Sequence, residues 1–170
     1  MKILVLGLGN DLYGDDGVGL HVVRLLEAEG TAPGGPGNGA ILKFEACLLS
    51  GAALLDVIRG FDKLLVIDTI VRDEPVTGRV RLLDPADVRD VPGPSPHYIS
   101  IPQTLEIGRR IGLHMPEVVK LLAVEAGNIY RVGEGLSAEM TARLPDILGA
   151  AREAIRELRG APSPGTADRS

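Results

Sequence analysis

The chain alternates between two hydrophobic rhythms. "KILVLGLG" (2–9), "KLLVIDT" (63–69) and "VVKLLAVEAG" (118–127) are short continuous apolar runs. Runs of that length bounded by turn residues predict strands buried on both faces. "AILKFEA" (40–46) predicts a further strand, and "GRVRLL" (78–83) alternates apolar and polar positions as a strand with one wet face does. Between these runs the period lengthens to that of a helix. Val18, Val22, Leu25 and Leu26 form a stripe that predicts a helix from Asp16 to about Glu29. "SGAALLDVIRG" (50–60) predicts a second helix, with Ser50 as its N-cap and Gly60 as its stop. Ser100 and Gln103 have capping-box spacing and open a helix to about Ile111. Ser137 opens the last helix, to about Leu158, kinked or restarted at Pro145. Residues 30–39 and 84–97 read as loops rich in Gly and Pro or in Pro and Asp, and residues 161–170 as a disordered tail.

Buried strands alternating with helices predict a three-layer α/β/α sandwich around a mostly parallel twisted sheet, with one antiparallel strand. The 170 residues fit a single domain over 1–160 followed by the tail. A formal net charge of −5 argues against a nucleic-acid partner, and two Phe, three Tyr and no Trp leave little for a base-stacking surface. One cysteine, Cys47, allows neither an internal disulfide nor a thiolate metal cluster. The apolar run that opens the chain is too short for a signal peptide or a membrane span, so a cytoplasmic protein without membrane contact is expected.

In a sheet of this kind ligands bind at the carboxyl ends of the strands. That rule directs attention to the segments after residues 8, 46, 69 and 125. Asp16 falls at the start of the first helix, Asp68 at the end of the third strand, and His97 in the Pro-rich loop before the third helix. Two carboxylates and an imidazole make a divalent-metal site with open coordination positions. Blander readings exist for each: helix capping for Asp16, a strand-end turn for Asp68, a surface loop histidine for His97. His21 reads as structural, His114 as exposed, and Cys47 as a small buried residue with no base to activate it.

"GLGNDLYGDDGVG" (7–19) poses a question of charge. A glycine-rich turn after a buried strand usually cradles phosphate, and Gly7 and Gly9 fit the dinucleotide fingerprint. Its third glycine is replaced by Leu12, and Asp11, Asp15 and Asp16 would face the pyrophosphate. The glycines are better explained as room for a tight turn and close packing, and the aspartates as suited to a cation.

Four pieces in order resemble the nickel–iron hydrogenase maturation proteases. They are "ILVLGLGNDLYGDDGVGLHVV" at the start, "LLVIDTI" (64–70), "SPHYISIPQTL" (95–105) and "VEAGNIYRVGEGLS" (124–137). The resemblance spans roughly residues 2–150. It implies an endopeptidase that removes a C-terminal extension from the hydrogenase large-subunit precursor after nickel insertion. It places the family's metal-binding and catalytic trio on Asp16, Asp68 and His97, with Asp16 where some members carry Glu. The implied cofactor is nickel, that of the substrate, or another divalent ion, and the implied chemistry is metal-assisted peptide hydrolysis. One departure is "EACLLSG" (45–51), where the family commonly has an acid and a glycine-rich turn. Two other classes stay open: a non-catalytic chaperone that binds nickel or the precursor, and a hydrolase resembling peptidyl-tRNA hydrolase, to which "GLGN" and His21 are similar.

Overall fold

The computed structural model describes residues 1–30, 39–85, 87, 96–127, 129, 131–133 and 135–160, for 96–100 the backbone alone. Most of the loops expected at 30–39 and 84–97 and the whole tail expected at 161–170 lie outside them. The predicted strands are β1 (Lys2–Leu8), β2 (Ile41–Cys47), β3 (Lys63–Ile70), β4 (Val80–Leu83) and β5 (Val118–Glu125). They form one five-stranded sheet in the order β2-β1-β3-β5-β4. The pairs β1–β2, β1–β3 and β3–β5 are parallel, and β4 runs antiparallel to β5 at the edge. This is the mostly parallel sheet with one antiparallel strand that the runs predict.

The helices are α1 (Val18–Ala28), α2 (Leu54–Ile58), α3 (Pro96–Arg110) and α4 (Ala138–Gly160). The strand period of two splits the core between the two faces of the sheet. Ile3, Val5, Leu65 and Ile67 pack with Val18, Val22 and Leu26 of α1 and Ile147, Ala151 and Ile155 of α4. Leu4, Leu6, Leu64 and Val66 pack with Leu54 and Ile58 of α2 and Ile101 and Leu105 of α3. All eight residues of β3 are buried, as befits the central strand. Lys63, at its start, sinks its stem into that core. Burial pushes its ammonium pKa down, and Nζ donates to the Leu158 carbonyl of α4 at 2.7 Å. None of the helices, over the described residues, is long and apolar enough to cross a membrane.

Helix boundaries depart from expectation in three places, and of the two alternatives at Pro145 the restart is absent. Helix α1 begins at Val18, after a 3₁₀ turn over Gly14–Gly17 that contains Asp16. The second helix begins with a 3₁₀ turn, Gly51–Ala53, and Ser50 makes no side-chain cap. Gly51 sits at φ 62, outside the helical region, which delays α2 to Leu54, while Gly60 at φ 84 does end the segment. Helix α3 begins at Pro96 instead of Ser100, so His97 belongs to its first turn and not to the preceding loop. Proline suits a first helical position because the N–H it lacks has no intrahelical partner there. Helix α4 does not restart at Pro145. Met140 and Ile147, on either side of the proline, are buried in the same core and hold both halves in one helix.

Candidate functional site

Asp16 lies in the 3₁₀ turn between β1 and α1 and is 5% exposed. Its carboxylate caps no helix: neither the turn nor α1 has a side-chain cap. Instead Oδ2 accepts the Asn10 N–H at 2.9 Å and Oδ1 accepts the Thr69 hydroxyl at 2.8 Å. Asp68, fully buried near the end of β3, accepts the Thr69 N–H on Oδ1 at 2.8 Å. The two candidate carboxylates, one from the loop after β1 and one from β3, are therefore brought to the same threonine. Thr69 and Asn10 were not singled out by sequence reasoning. The signal was the polar pair "DT" closing an otherwise apolar strand.

His97 lies in the first turn of α3, and its side chain is outside the described residues. The course of α3 places that turn. Thr104 Oγ1 donates to the carbonyl of Gly51, just past the carboxyl end of β2, at 3.1 Å. Arg109 donates to the carbonyl of Pro116, just before β5, at 2.7 Å. Helix α3 thus runs antiparallel to the parallel strands and starts at the edge that carries Asp16 and Asp68. Among the described residues no group of three His, Cys, Asp or Glu is arranged to hold a metal ion.

The glycines before Asp16 serve close packing. A Cβ on Gly7 would lie 2.2 Å from the Gly19 carbonyl oxygen, so β1 and the start of α1 touch backbone to backbone. Gly9, at φ 142, would place a Cβ 2.0 Å from the carbonyl oxygen of Asp16 itself. Those contacts fold the turn back far enough for Asp16 to reach Asn10 and Thr69.

The other two aspartates have separate partners. Asp11 is half-buried and pairs with Arg24 at 3.6 Å. Asp15 accepts the Ser137 N–H at 2.7 Å and its hydroxyl at 2.9 Å. Ser137 Oγ in turn accepts the Met140 N–H at 3.1 Å, the N-cap bond that the sequence predicts for α4. The loops after β1 and β5 are stitched together by Gly14 N–H to Gly133 O and Gly133 N–H to Leu12 O, each 3.0 Å. A cleft of about 370 Å³ opens there, lined by Gly14, Asp15, Arg131, Val132, Leu136 and Ser137, among others.

Cys47 ends β2 and is buried. Burial raises its pKa, the Leu49 N–H lowers it less, and nearby Glu45 raises it further. The thiol is therefore held in its neutral form, which suits packing and not nucleophilic attack. Glu125, at the end of β5, is a buried acid that the sequence reading passed over. Its Oε2 accepts the Val76 N–H at 3.1 Å, and Oε1 lies 3.7 Å from Arg72 and 3.9 Å from Arg81. It fastens the segment after β3 to the sheet edge. Its signal was the same as that of Asp68, a lone acid ending a buried strand.

No protein-family model matches the sequence, and no curated protein matches it closely enough to count as a relative. Solved structures do match. The hydrogenase maturating endopeptidase HybD from E. coli has 25% sequence identity and a TM-score of 0.70, over 93% of this chain and 94% of that one. The [NiFe] hydrogenase maturation protease HybD from Thermococcus kodakarensis, at 21% identity, covers 91% of this chain and 99% of its own with a TM-score of 0.66. The maturation protease HycI from Thermococcus kodakarensis KOD1, at 19% identity, matches over 91% and 92% with a TM-score of 0.62. The two Thermococcus structures speak for the fold alone. The sheet and the helices that flank it thus lead to one place: the chain is a structural relative of the nickel–iron hydrogenase maturation proteases.

Proposed function

We propose that the chain is an endopeptidase of hydrogenase maturation. Its substrate is the nickel-loaded precursor of a nickel–iron hydrogenase large subunit, and its work is to remove the C-terminal extension. The observation that carries this reading is the pair of buried carboxylates, Asp16 and Asp68, brought to Thr69 at the carboxyl edge of the sheet. The fold it shares with an endopeptidase named for that role supports it.

The donor set fits a divalent ion. Asp16 accepts one hydrogen bond on each oxygen, and a carboxylate oxygen carries a second lone pair. Two carboxylates with the His97 imidazole form a mixed oxygen–nitrogen set of the kind first-row divalent metals accept. The metal in this reading is the nickel of the substrate, read by the enzyme before it cuts. Bound there, it would supply Lewis-acid polarisation of a carbonyl or of water. Asp16 and Asp68 hold and orient the ion. Thr69 and Asn10 hold the carboxylates in place. His97, in the first turn of α3, is the nitrogen donor of the set.

The test is direct. Incubated with nickel-loaded large-subunit precursor, the protein should convert it to a faster-migrating product on a denaturing gel, and leave the nickel-free precursor intact. Binding without any shift would replace the peptidase by a chaperone that recognises the same substrate. Neither binding nor cleavage would remove both readings.

A further inference from the structure

Thr69 is as buried as Asp68 and lies on the other face of β3. Leu64, Val66 and Ile70 belong to the core shared with α2 and α3, whereas Leu65 and Ile67 belong to the core shared with α1. By strand alternation Asp68 goes with the first set and Thr69 with the second. Asp16 approaches on the α1 side. Left to the pleat, the two carboxylates would be separated by the strand. Thr69 spans that separation with two groups of its own. Its side chain, on the Asp16 face, donates to Asp16 Oδ1 at 2.8 Å, and its N–H donates to Asp68 Oδ1 at 2.8 Å. A carboxylate can only accept, so the hydroxyl proton must point at Asp16. Asp16 is held at its other oxygen by the Asn10 N–H, so the Thr69 bond fixes the plane of the carboxylate as well as its position.

We propose that Thr69 is a positioning residue that holds the Asp16 and Asp68 carboxylates together so that the pair can engage one divalent cation. The inference rests on the reading of Asp16 and Asp68 as cation ligands. It assigns Thr69 no contact with the ion. Its role is to orient the oxygens that make that contact. Groups in this position, behind the ligands, typically change metal affinity about 10–100-fold when removed.

The experiment is calorimetric titration of the full chain with Ni²⁺ alone, on the wild type and on Thr69→Ser, Thr69→Val and Asp16→Asn, with thermal melts recorded in parallel. Serine keeps the hydroxyl, whereas valine keeps the shape and removes the donor. The expected result is Ni²⁺ binding by the wild type, near-wild-type affinity for Thr69→Ser, affinity about 10–100-fold weaker for Thr69→Val, and none for Asp16→Asn. Thr69→Ala, which also lacks the hydroxyl, replaces Thr69→Val if the latter does not fold. Equal affinity for the wild type and the hydroxyl-free variant would overturn the inference, and so would equal losses in the serine and valine variants. A wild type that binds no Ni²⁺ yet cleaves the precursor would overturn it too and leave the proposed endopeptidase standing. The expected affinity pattern without cleavage of any precursor would sustain Thr69 and remove the endopeptidase.

Discussion

At Asp16 the sequence leaves helix capping and cation binding side by side, because both want an acid just before a helix. The structure removes the capping role: the partners of the carboxylate are Asn10 and Thr69 and no amide of α1. The same partners make a clean variant available. In Asp16→Asn the amide oxygen can still accept the Asn10 N–H, and the amide nitrogen can donate to Thr69 Oγ1 once the hydroxyl turns. The fold should survive at a cost of about 1 kcal/mol, while the charge that a cation needs is gone. Asp16→Asn and His97→Ala should therefore abolish precursor processing and keep a cooperative thermal transition. Cys47→Ser should process at close to the wild-type rate, since the thiol is buried and held neutral. A dead Cys47→Ser beside an active His97→Ala would transfer the chemistry to the thiol. Asp68 was legible for a simple reason: an acid in a run of eight buried positions is costly unless something holds it. Thr69 was not, because threonine is an ordinary strand residue, and only the distance to Asp16 reveals what its hydroxyl does.

Among the elements, the strands were legible and the helix starts less so. Continuous apolar runs mark β1, β3 and β5 because their burial on both faces leaves no polar alternation to misread. Helix starts depend on single residues whose roles compete. Ser50 has the chemistry of a cap, but Gly51 at positive φ takes the chain out of helical geometry directly after it. Ser137 has the same chemistry and does cap α4, because Asp15 takes its hydroxyl proton and leaves the oxygen to accept from Met140. That arrangement joins α4 to the turn carrying Asp16. Ser137→Ala removes the cap and one of the two bonds to Asp15. It should lower stability by about 1–2 kcal/mol in urea unfolding, toward the upper end of what a cap is worth. Loss of under about 0.3 kcal/mol would mean that the Asp15–Ser137 hydroxyl bond adds nothing to the helix start. Processing by folded Ser137→Ala should persist, since the Asp16 contacts to Asn10 and Thr69 do not pass through Ser137.

For the molecule as a whole, the candidate site and an acid-sensitive tether sit at opposite ends of the sheet. Asp16, Asp68 and the first turn of α3 gather at the carboxyl edge. At the amino edge, Asp62 Oδ2 accepts the Lys2 N–H at 2.6 Å and Oδ1 pairs with His114 Nε2 at 2.8 Å. The backbone of Asp62 also accepts the Glu117 N–H at 3.0 Å, so this one residue ties the start of β1 to the approach to β5. The Lys2 N–H bond chiefly, and His114 after the opposing effect of burial, hold the Asp62 carboxyl below its ordinary value of 3.8. A carboxyl with a depressed folded pKa binds fewer protons folded than unfolded, so it favours the folded state above the ordinary value. That contribution is lost as pH falls through the lower folded value. Asp62→Asn can still accept the Lys2 N–H but has no charge to titrate. Wild type and variant should therefore differ in urea midpoint at pH 7 and converge as the pH is taken to 3 and below. Because Asp62 is about a third exposed, the difference should be small and should shrink further in high salt. Other carboxylates titrate over the same range, but they are common to both proteins and cancel in the comparison. Parallel pH profiles for the two proteins would show that Asp62 contributes no acid sensitivity. Processing at neutral pH should be the same in both, because the tether lies a full strand length away from Asp16 and Asp68.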